Sequence, residues 1–387
     1  MNDLLKWRKE FPILEKTVYL INNSLGAMPR AVYDNLKLYA DIWSTRGIRA
    51  WEEGWWEFIG EIGTILADII NAPKNTVSMH QNVTIAEAVV LSCFDFKGKK
   101  NKIVYSDMNF PSVMYLYQAR IPDGARIEIL KSEDGITVPT EKMVAAIDGE
   151  TLLVPISHVL FKSAYIQDVA AIIEKAHACS AHVVLDTYQS VGTVPIDVQK
   201  LNVDFVVGGS IKWLCGGPGA AYLYVRPDLG AKLQPRLTGW MAHHAPFAFE
   251  PDMRFSDNIA FKFLNGTPHL PSLYAAKAGY EIIREVGVEN IRKRSLQLTE
   301  RIIQRAQEYG FQINSPLNPE RRGGTVVVQL ENSQQISKEL LKRDFLIDWR
   351  PNAGIRISPH FYNTEDEVDA IMEEIKKISS LRTGFTI

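Results

Sequence analysis

Six short apolar runs follow one another through the middle of the chain, at residues 101–107, 125–130, 151–157, 181–186, 203–209 and 220–225. They are rich in β-branched residues, and they read as strands buried on both faces. Segments of helical period lie between them, as at 166–178. This alternation commits the chain to an α/β fold, a mostly parallel sheet flanked by helices. A long helical stretch over 273–310 comes next, then strand, helix, strand, strand and helix to residue 378. That order describes a small α+β unit. The expected division is a large domain over 27–272 and a small domain made from 1–26 and 273–387.

Composition narrows the function classes. Charged residues make up 23% of the 387 residues and hydrophobic ones 46%, with a net charge of −2. Such a balance gives no electrostatic reason to expect nucleic acid or an anionic membrane as partner. The three cysteines, Cys93, Cys179 and Cys215, are widely spaced. They form neither a disulfide framework nor a zinc motif, and they suggest a reducing, cytoplasmic setting. The first residues lack the apolar core of a secretory signal, and no apolar run reaches the ~18 residues of a membrane helix.

The chemistry gathers around Lys212. It follows the 203–209 strand and is flanked by Gly208, Gly209, Gly216, Gly217 and Gly219. A lysine buried in such a segment has a lowered pKa, which suits an amine that must form a Schiff base. Asp186 ends the preceding strand, where a carboxylate can hold a pyridinium nitrogen. Together they make the pairing that pyridoxal phosphate (PLP) chemistry requires. Each residue also has a bland reading, Lys212 as a solvated lysine and Asp186 as a turn cap.

Other residues extend the pattern. Gln189, three after Asp186, offers an amide to the cofactor's phenolic oxygen or to a substrate oxygen. Thr84 and nearby backbone N–H groups open an amphipathic helix, an anion site or simply a cap. Phe110 stands on the loop after a strand, either to stack on a pyridine ring or to fill the core. Ser210, two before the lysine, is within reach of a phosphate. The segment holding Trp43, Trp51, Trp55, Trp56 and Phe58 reads as a packing helix or as the aromatic wall of a substrate pocket, with His243 and His244 beside it. Two adjacent histidines without a third ligand do not make a metal site.

Several motifs carry a resemblance over roughly residues 18–378: the segments 22–30, 48–56, 110–112, 239–255, 263–268 and 351–368. In these the chain resembles fold-type I PLP enzymes of the class V aminotransferase superfamily, in its kynureninase-like branch. The resemblance implies that Lys212 carries the cofactor, Asp186 pairs its ring nitrogen and Phe110 stacks on its ring. Val83, Thr84 and Ser210 would lie at the phosphate. Trp240 and Thr267 would reach the phosphate of the neighbouring subunit, so that a homodimer shares its active sites. Asn23, Ser24 and Arg356 would meet the substrate, with Arg356 gripping the α-carboxylate bidentately.

The implied activity begins with exchange of Lys212 for the amine of an amino acid, followed by α-proton removal. It continues to C–C or C–X cleavage in the side chain. Transamination, epimerisation and a non-catalytic PLP-binding role remain as alternatives. The chain departs from kynureninases at Ile211, where they have tyrosine, at Gln189, where they have histidine, and at Val113, where they have aspartate. These departures point to a substrate other than kynurenine. The 186–198 segment resembles cysteine desulfurases, yet no cysteine follows Cys215 to serve as their reactive thiol.

Overall fold

The computed structural model describes residues 4–383. Its large sheet contains β1 (Val77–His80), β2 (Lys102–Ser106), β3 (Arg126–Leu130), β4 (Thr151–Ser157), β5 (His182–Asp186), β6 (Phe205–Gly209) and β7 (Ala221–Val225). The strands lie in the order β1-β7-β6-β5-β4-β2-β3. Pairings from β6 through β5, β4 and β2 to β3 are parallel, and β7 runs antiparallel to both β6 and β1. The apolar runs become strands, and helices cover both faces except at edge strand β3, expected to be buried, whose residues stay half-exposed or exposed because no strand lies beyond it. Every residue of β2, β6 and β7 is buried, as a doubly covered sheet demands.

Edge strand β1 lies outside the six apolar runs. Its sequence, Val-Ser-Met-His, alternates apolar and polar but is only four residues long, too short to announce a strand. It is held by register against β7, with Val77 opposite Tyr224 and His80 opposite Ala221.

Strand order reverses beside β2. The chain moves outward to β3 and then returns to place β4 on the other side of β2. A crevice opens where connections leave such a switch point in opposite directions, outside the carboxyl ends of the strands. The loops after β2 and β4 border it, and Phe110 from the first meets Phe161 from the second edge-on at 5.2 Å.

The expected long helix is two helices, α6 (Leu270–Val286) and α7 (Val288–Glu308), if α1 to α5 are Val32–Arg46, Trp55–Ile70, Val83–Leu91, Pro111–Gln118 and Val169–Ala178. Gly287 breaks it with φ +79°, its N–H capping Ile283 O. A side chain is strained at that φ, so glycine lets the chain turn while both amphipathic faces stay buried.

A second sheet, antiparallel, consists of β8 (Gln312–Ile313), β9 (Val326–Gln329), β10 (Asp348–Arg350) and β11 (Gly354–Ile357) in the order β10-β11-β9-β8. Its core, including Val326, Val328, Ile355 and Ile357, packs against Leu298 and Ile302 of α7 and Ile371 and Ile375 of the C-terminal helix. Leu20 belongs to the same core. Val18 and Tyr19 pair in parallel with Phe345 and Leu346. Beyond them the chain crosses to the large sheet, where Gly26 N–H donates to Ile211 O at 2.7 Å.

Candidate active site

Three strand ends build the floor of a cavity of about 360 Å3, within the ~300–1,000 Å3 usual for small-ligand sites. Ser157 ends β4 opposite Asp186 at the end of β5, and Asp186 pairs with Val207 of β6. Lys212 follows β6 by three residues. Its loop is pinned by Cys215 N–H to Lys212 O (3.0 Å), Gly216 N–H to Ser210 O (2.8 Å) and the bond from Gly26 to Ile211.

The Lys212 side chain keeps some surface toward the cavity while its amine lies at depth. Burial lowers its pKa to about 8, opposed by the charge of Asp186 and reinforced by that of Arg356. Asp186 is buried, and burial raises its pKa, offset in part by the Tyr188 N–H (2.8 Å to Oδ1) and by Lys212. A positive ring nitrogen beside this carboxylate would supply the counter-charge that burial makes it need.

Two aromatic rings flank the amine. Lys212 Nζ lies over Tyr188, 4.5 Å from its centroid, and over Phe110 at 5.6 Å. Phe110 precedes Pro111, the first residue of α4, and its side chain is exposed on the cavity wall.

At one end stands the N-terminus of α3. Asn82 caps it, accepting from Ile85 N–H at 3.0 Å, and Ala86 N–H bonds to Asn82 O. This leaves the N–H groups of Val83 and Thr84 without a partner inside the helix, and both residues line the cavity. A helix start of this kind favours an anion such as a phosphate.

Arg356 stands at the other end, 2% exposed. Asp348 and Arg356 are direct partners in the β10–β11 register. Nε donates to Asp348 Oδ1 at 2.7 Å, and Nη2 to Asp348 Oδ2. Nη1 donates to Phe161 O (2.7 Å) and Nη2 to Ser24 Oγ (3.0 Å), while Ser24 donates to Asp348 Oδ2. Turned to satisfy both its ends, the Asn23 amide presents its oxygen to the guanidinium and its nitrogen to Ser358 Oγ. Burial pushes Asp348 up, but the hydrogen bonds and charge of Arg356 outweigh it and leave its pKa below the usual value. The bidentate fork expected for a substrate is therefore already occupied by Asp348. Arg350, two residues along β10, contacts Asp348 Oδ2 at 3.1 Å, is half-exposed and lines the cavity.

The structure thus gathers Asn23, Ser24, Val83, Thr84, Phe110, Asp186, Gln189, Lys212 and Arg356 around one space. Gln189 arrives there with part of its amide spent, donating to Asn23 O and accepting from Trp213 Nε1. Ser210 is not on the cavity wall. Its hydroxyl turns inward to Ala220 O (2.5 Å) and Tyr280 Oη (2.6 Å), because α6 packs behind the loop. Trp240 and Thr267 lie away from this space, Trp240 against Trp56 and Phe247 and Thr267 exposed.

The tryptophan segment does not wall this cavity either. Trp55 is buried against Tyr39, whereas Trp51 and Trp56 line a separate, larger cavity of about 740 Å3 together with His243, His244 and Phe247. Glu250 does supply a third group beside the histidines. However, His243 Nδ1 accepts from Ala245 N–H while its Nε2 faces Asp252 O, and Glu250 is bonded by Arg254. His244 Nε2 meets Glu250 Oε2 at 3.4 Å within the trio itself.

Residues not singled out from sequence are Tyr188, Phe161, Asp348 and Arg350. The Asp-x-Arg spacing of 348 and 350 was the available signal, since residues two apart share a strand face.

The class-V aminotransferase family model matches residues 18–371. Kynureninase of Bacillus anthracis is 31% identical, covering 97% of this chain and 92% of its own. An uncharacterized aminotransferase of Bacillus subtilis, YcbU, is 31% identical with 96% of each chain covered. Among solved structures, the cysteine desulfurase of Thermococcus onnurineus NA1 in its apo form superposes with TM-score 0.85 at 20% identity, covering 96% of this chain and 97% of its own. The cystine C–S lyase C-DES bound to cysteine persulfide gives 0.86 at 19% identity, covering 95% and 99%. The chain belongs to the class-V aminotransferase family and is a PLP-dependent enzyme of the fold type these structures share.

Proposed function

We propose that this enzyme acts on an α-amino acid other than kynurenine, cleaving a C–C or C–X bond in its side chain. The observation that carries the reading is the placement of Lys212 between the Asp186 carboxylate and the Arg350–Arg356 pair. The residues present fit the cofactor: a buried amine, a carboxylate in need of a counter-charge, an exposed aromatic face and an open helix N-terminus. Bound there, PLP supplies a carbonyl carbon for amines and a protonated ring that accepts the electron pair of the α-carbon.

The protein's own groups do the rest. Asp186 holds the ring nitrogen and keeps its proton in place. Val83 and Thr84 N–H groups hold the phosphate. Arg350 and the outer edge of Arg356 take the α-carboxylate, with Asn23 and Ser24 fixing the guanidinium. Lys212, once its nitrogen is free, removes the α-proton. A pKa of about 8 leaves it on the order of a tenth neutral at pH 7, so it serves as base without extreme activation. The enzyme works as a cytoplasmic homodimer in which Trp240 and Thr267 reach the partner's phosphate site.

Kynurenine is disfavoured because Ile211 offers no hydroxyl beside the lysine and Gln189 no titratable imidazole. Loss of a positioned proton donor costs about 10²–10⁴-fold in rate. Desulfurase chemistry lacks support as well, since Cys93, Cys179 and Cys215 do not line the cavity. Transamination is the second reading, favoured by the similarity to YcbU. Steady-state assays on the holoenzyme would compare anthranilate release from L-kynurenine with keto-acid formation and side-chain cleavage for other amino acids. Weak or absent kynurenine turnover is expected. Turnover at about 1 s⁻¹ or faster would establish the plain kynureninase reading instead, and dominant amino-group transfer would establish the transaminase.

A further inference from the structure

We propose that the junction between the large and small sheets binds a small inorganic monoanion of chloride size, held by Arg292 and Arg322. Neither arginine lines the Lys212 cavity, and the site does not depend on the reaction assigned to that cavity.

Local pairing brings the groups together. The chain after β4 turns back on itself, with Gln167 N–H bonded to His158 O at 3.0 Å. Its return limb pairs with the loop before β9, through Ile166 N–H to Arg321 O (2.8 Å) and Gly323 N–H to Ala164 O (2.7 Å). Arg292, near the start of α7, donates from Nη2 to Pro319 O and to Arg322 O, each at 2.8 Å. Arg322 is fully buried and donates to Pro316 O (2.9 Å), Leu317 O (2.7 Å) and Glu300 Oε2 (2.9 Å).

These bonds leave an imbalance. Arg321 is matched by Asp168 at 3.7 Å and Arg322 by Glu300. Among the described residues no carboxylate is bonded to Arg292. Arg292 Nη1, Arg322 Nε, His158 Nδ1 and Ser295 Oγ are shut off from solvent without a hydrogen-bond partner. Ser295 lies three residues along α7 from Arg292, on the same helix face. Gln167 Oε1, also unpartnered, is the one atom of the group that can only accept. Burial and the charge of Arg322 bring Arg292 down to about 10, and burial and the charge of Arg292 lower His158 to about 4. At neutral pH Arg292 is therefore charged and His158 is not, which leaves one positive charge without a counter-charge. Such a charge is costly, and so are buried donors left unmade. Water answers only the second need. A monoanion answers both, and a single surplus charge selects a halide over a phosphate. His158 also borders a surface cavity of about 590 Å3, so solvent reaches the edge of the junction.

The test follows thermal unfolding of the full chain as chloride replaces gluconate at constant ionic strength, which holds the screening of surface charges fixed. The parent should gain about 2–4 °C, saturating by about 0.2 M chloride. Arg292→Met, which keeps the apolar stem, should lose this response. Arg292→Lys, which keeps a charge without the planar fork, should retain a weaker one. In crystals of the parent soaked in bromide, an anomalous peak should lie within hydrogen-bonding distance of Arg292 Nη1. Absence of a chloride response would overturn the proposal, and a bromide peak would then mark an adventitious ion only. A full response in Arg292→Met would overturn it too, by placing the ion elsewhere or assigning the effect to the bulk salt. If Arg292→Met does not fold, the position of the bromide peak in the parent decides, and a peak remote from Arg292 would refute the site.

Discussion

Replacing Lys212 with methionine should make the cofactor-free protein more stable at neutral pH. The amine is held at a pKa of about 8 instead of the ordinary 10.5, chiefly because burial penalises its charge. At about 1.4 kcal/mol per unit, the protonated amine costs the fold about 3 kcal/mol below pH 8. The sign follows from proton counting. Between about pH 8 and 10.5 the unfolded chain binds a proton that the folded chain has released, so stability rises with pH across that window. Methionine keeps the apolar stem and removes the charge. It also strips Asp186 of a counter-charge, returning part of the gain, so a net increase of about 1–3 kcal/mol is expected at pH 7. Denaturant unfolding of the cofactor-free parent and Lys212→Met at pH 7 and pH 10.5 measures both quantities. The variant should be the more stable at pH 7, and the rise of the parent between the two pH values should be missing from it. Equal stability at pH 7 with the same pH dependence would refute the argument that the active-site amine is stored at a cost to the fold.

Asp186→Ala should still attach PLP at Lys212 but lose at least about 10²-fold in turnover, measured with the best substrate found; near-normal turnover would remove Asp186 from the ring nitrogen. Arg350→Ala should raise KM about tenfold with a smaller effect on kcat, because Arg356 remains partly committed to Asp348; a pure kcat loss would place Arg350 elsewhere in the cycle. Glu87 is buried on α3, and burial raises its pKa well above the ordinary value, with Asp186 adding to the rise and the Tyr117 hydroxyl opposing it. The folded chain keeps a proton there that the unfolded chain has lost, so stability falls as pH rises above ~4.5. Glu87→Gln should therefore stabilise the protein by about 1–3 kcal/mol at pH 7 and by little at pH 4, as thermal unfolding at the two pH values would show.

What was legible in the sequence depended on whether a signal was local. The parallel strands were, because burial on both faces forces continuous apolar runs. The meeting of Lys212 and Asp186 in one cavity was too, because one ends a strand and the other follows the next strand by three residues, among glycines and apolar neighbours. The Asp348–Arg356 bond was not. It joins residues eight apart through a strand register that only the fold sets, and it changes what Arg356 has left to offer. The inward turn of Ser210 was hidden for a similar reason, since its hydroxyl meets Tyr280, 70 residues away on α6. Tyr188 looks like any core aromatic until Gly209 on the adjacent strand is seen to make room for its ring. The break at Gly287 was visible as a residue but hidden by the helical period on both sides of it.

The strand-like segment that joins the two sheets has a consequence for how the protein is made. Leu20 N–H bonds to Leu346 O, Ser358 N–H to Leu20 O, Asn22 to Ser358 O and the Tyr362 hydroxyl to Asn22, before Gly26 reaches the lysine loop. The partners on the small sheet leave the ribosome more than 300 residues after Leu20 does, a delay of tens of seconds at about 5–20 residues per second. During that interval the large sheet is able to form, but the residues that complete the substrate end of the cavity have nothing to hold them. Completion of the substrate end therefore comes late in synthesis, and a ribosome-released fragment ending before residue 346 would carry the 20–26 segment beside the lysine loop without the partners that anchor it.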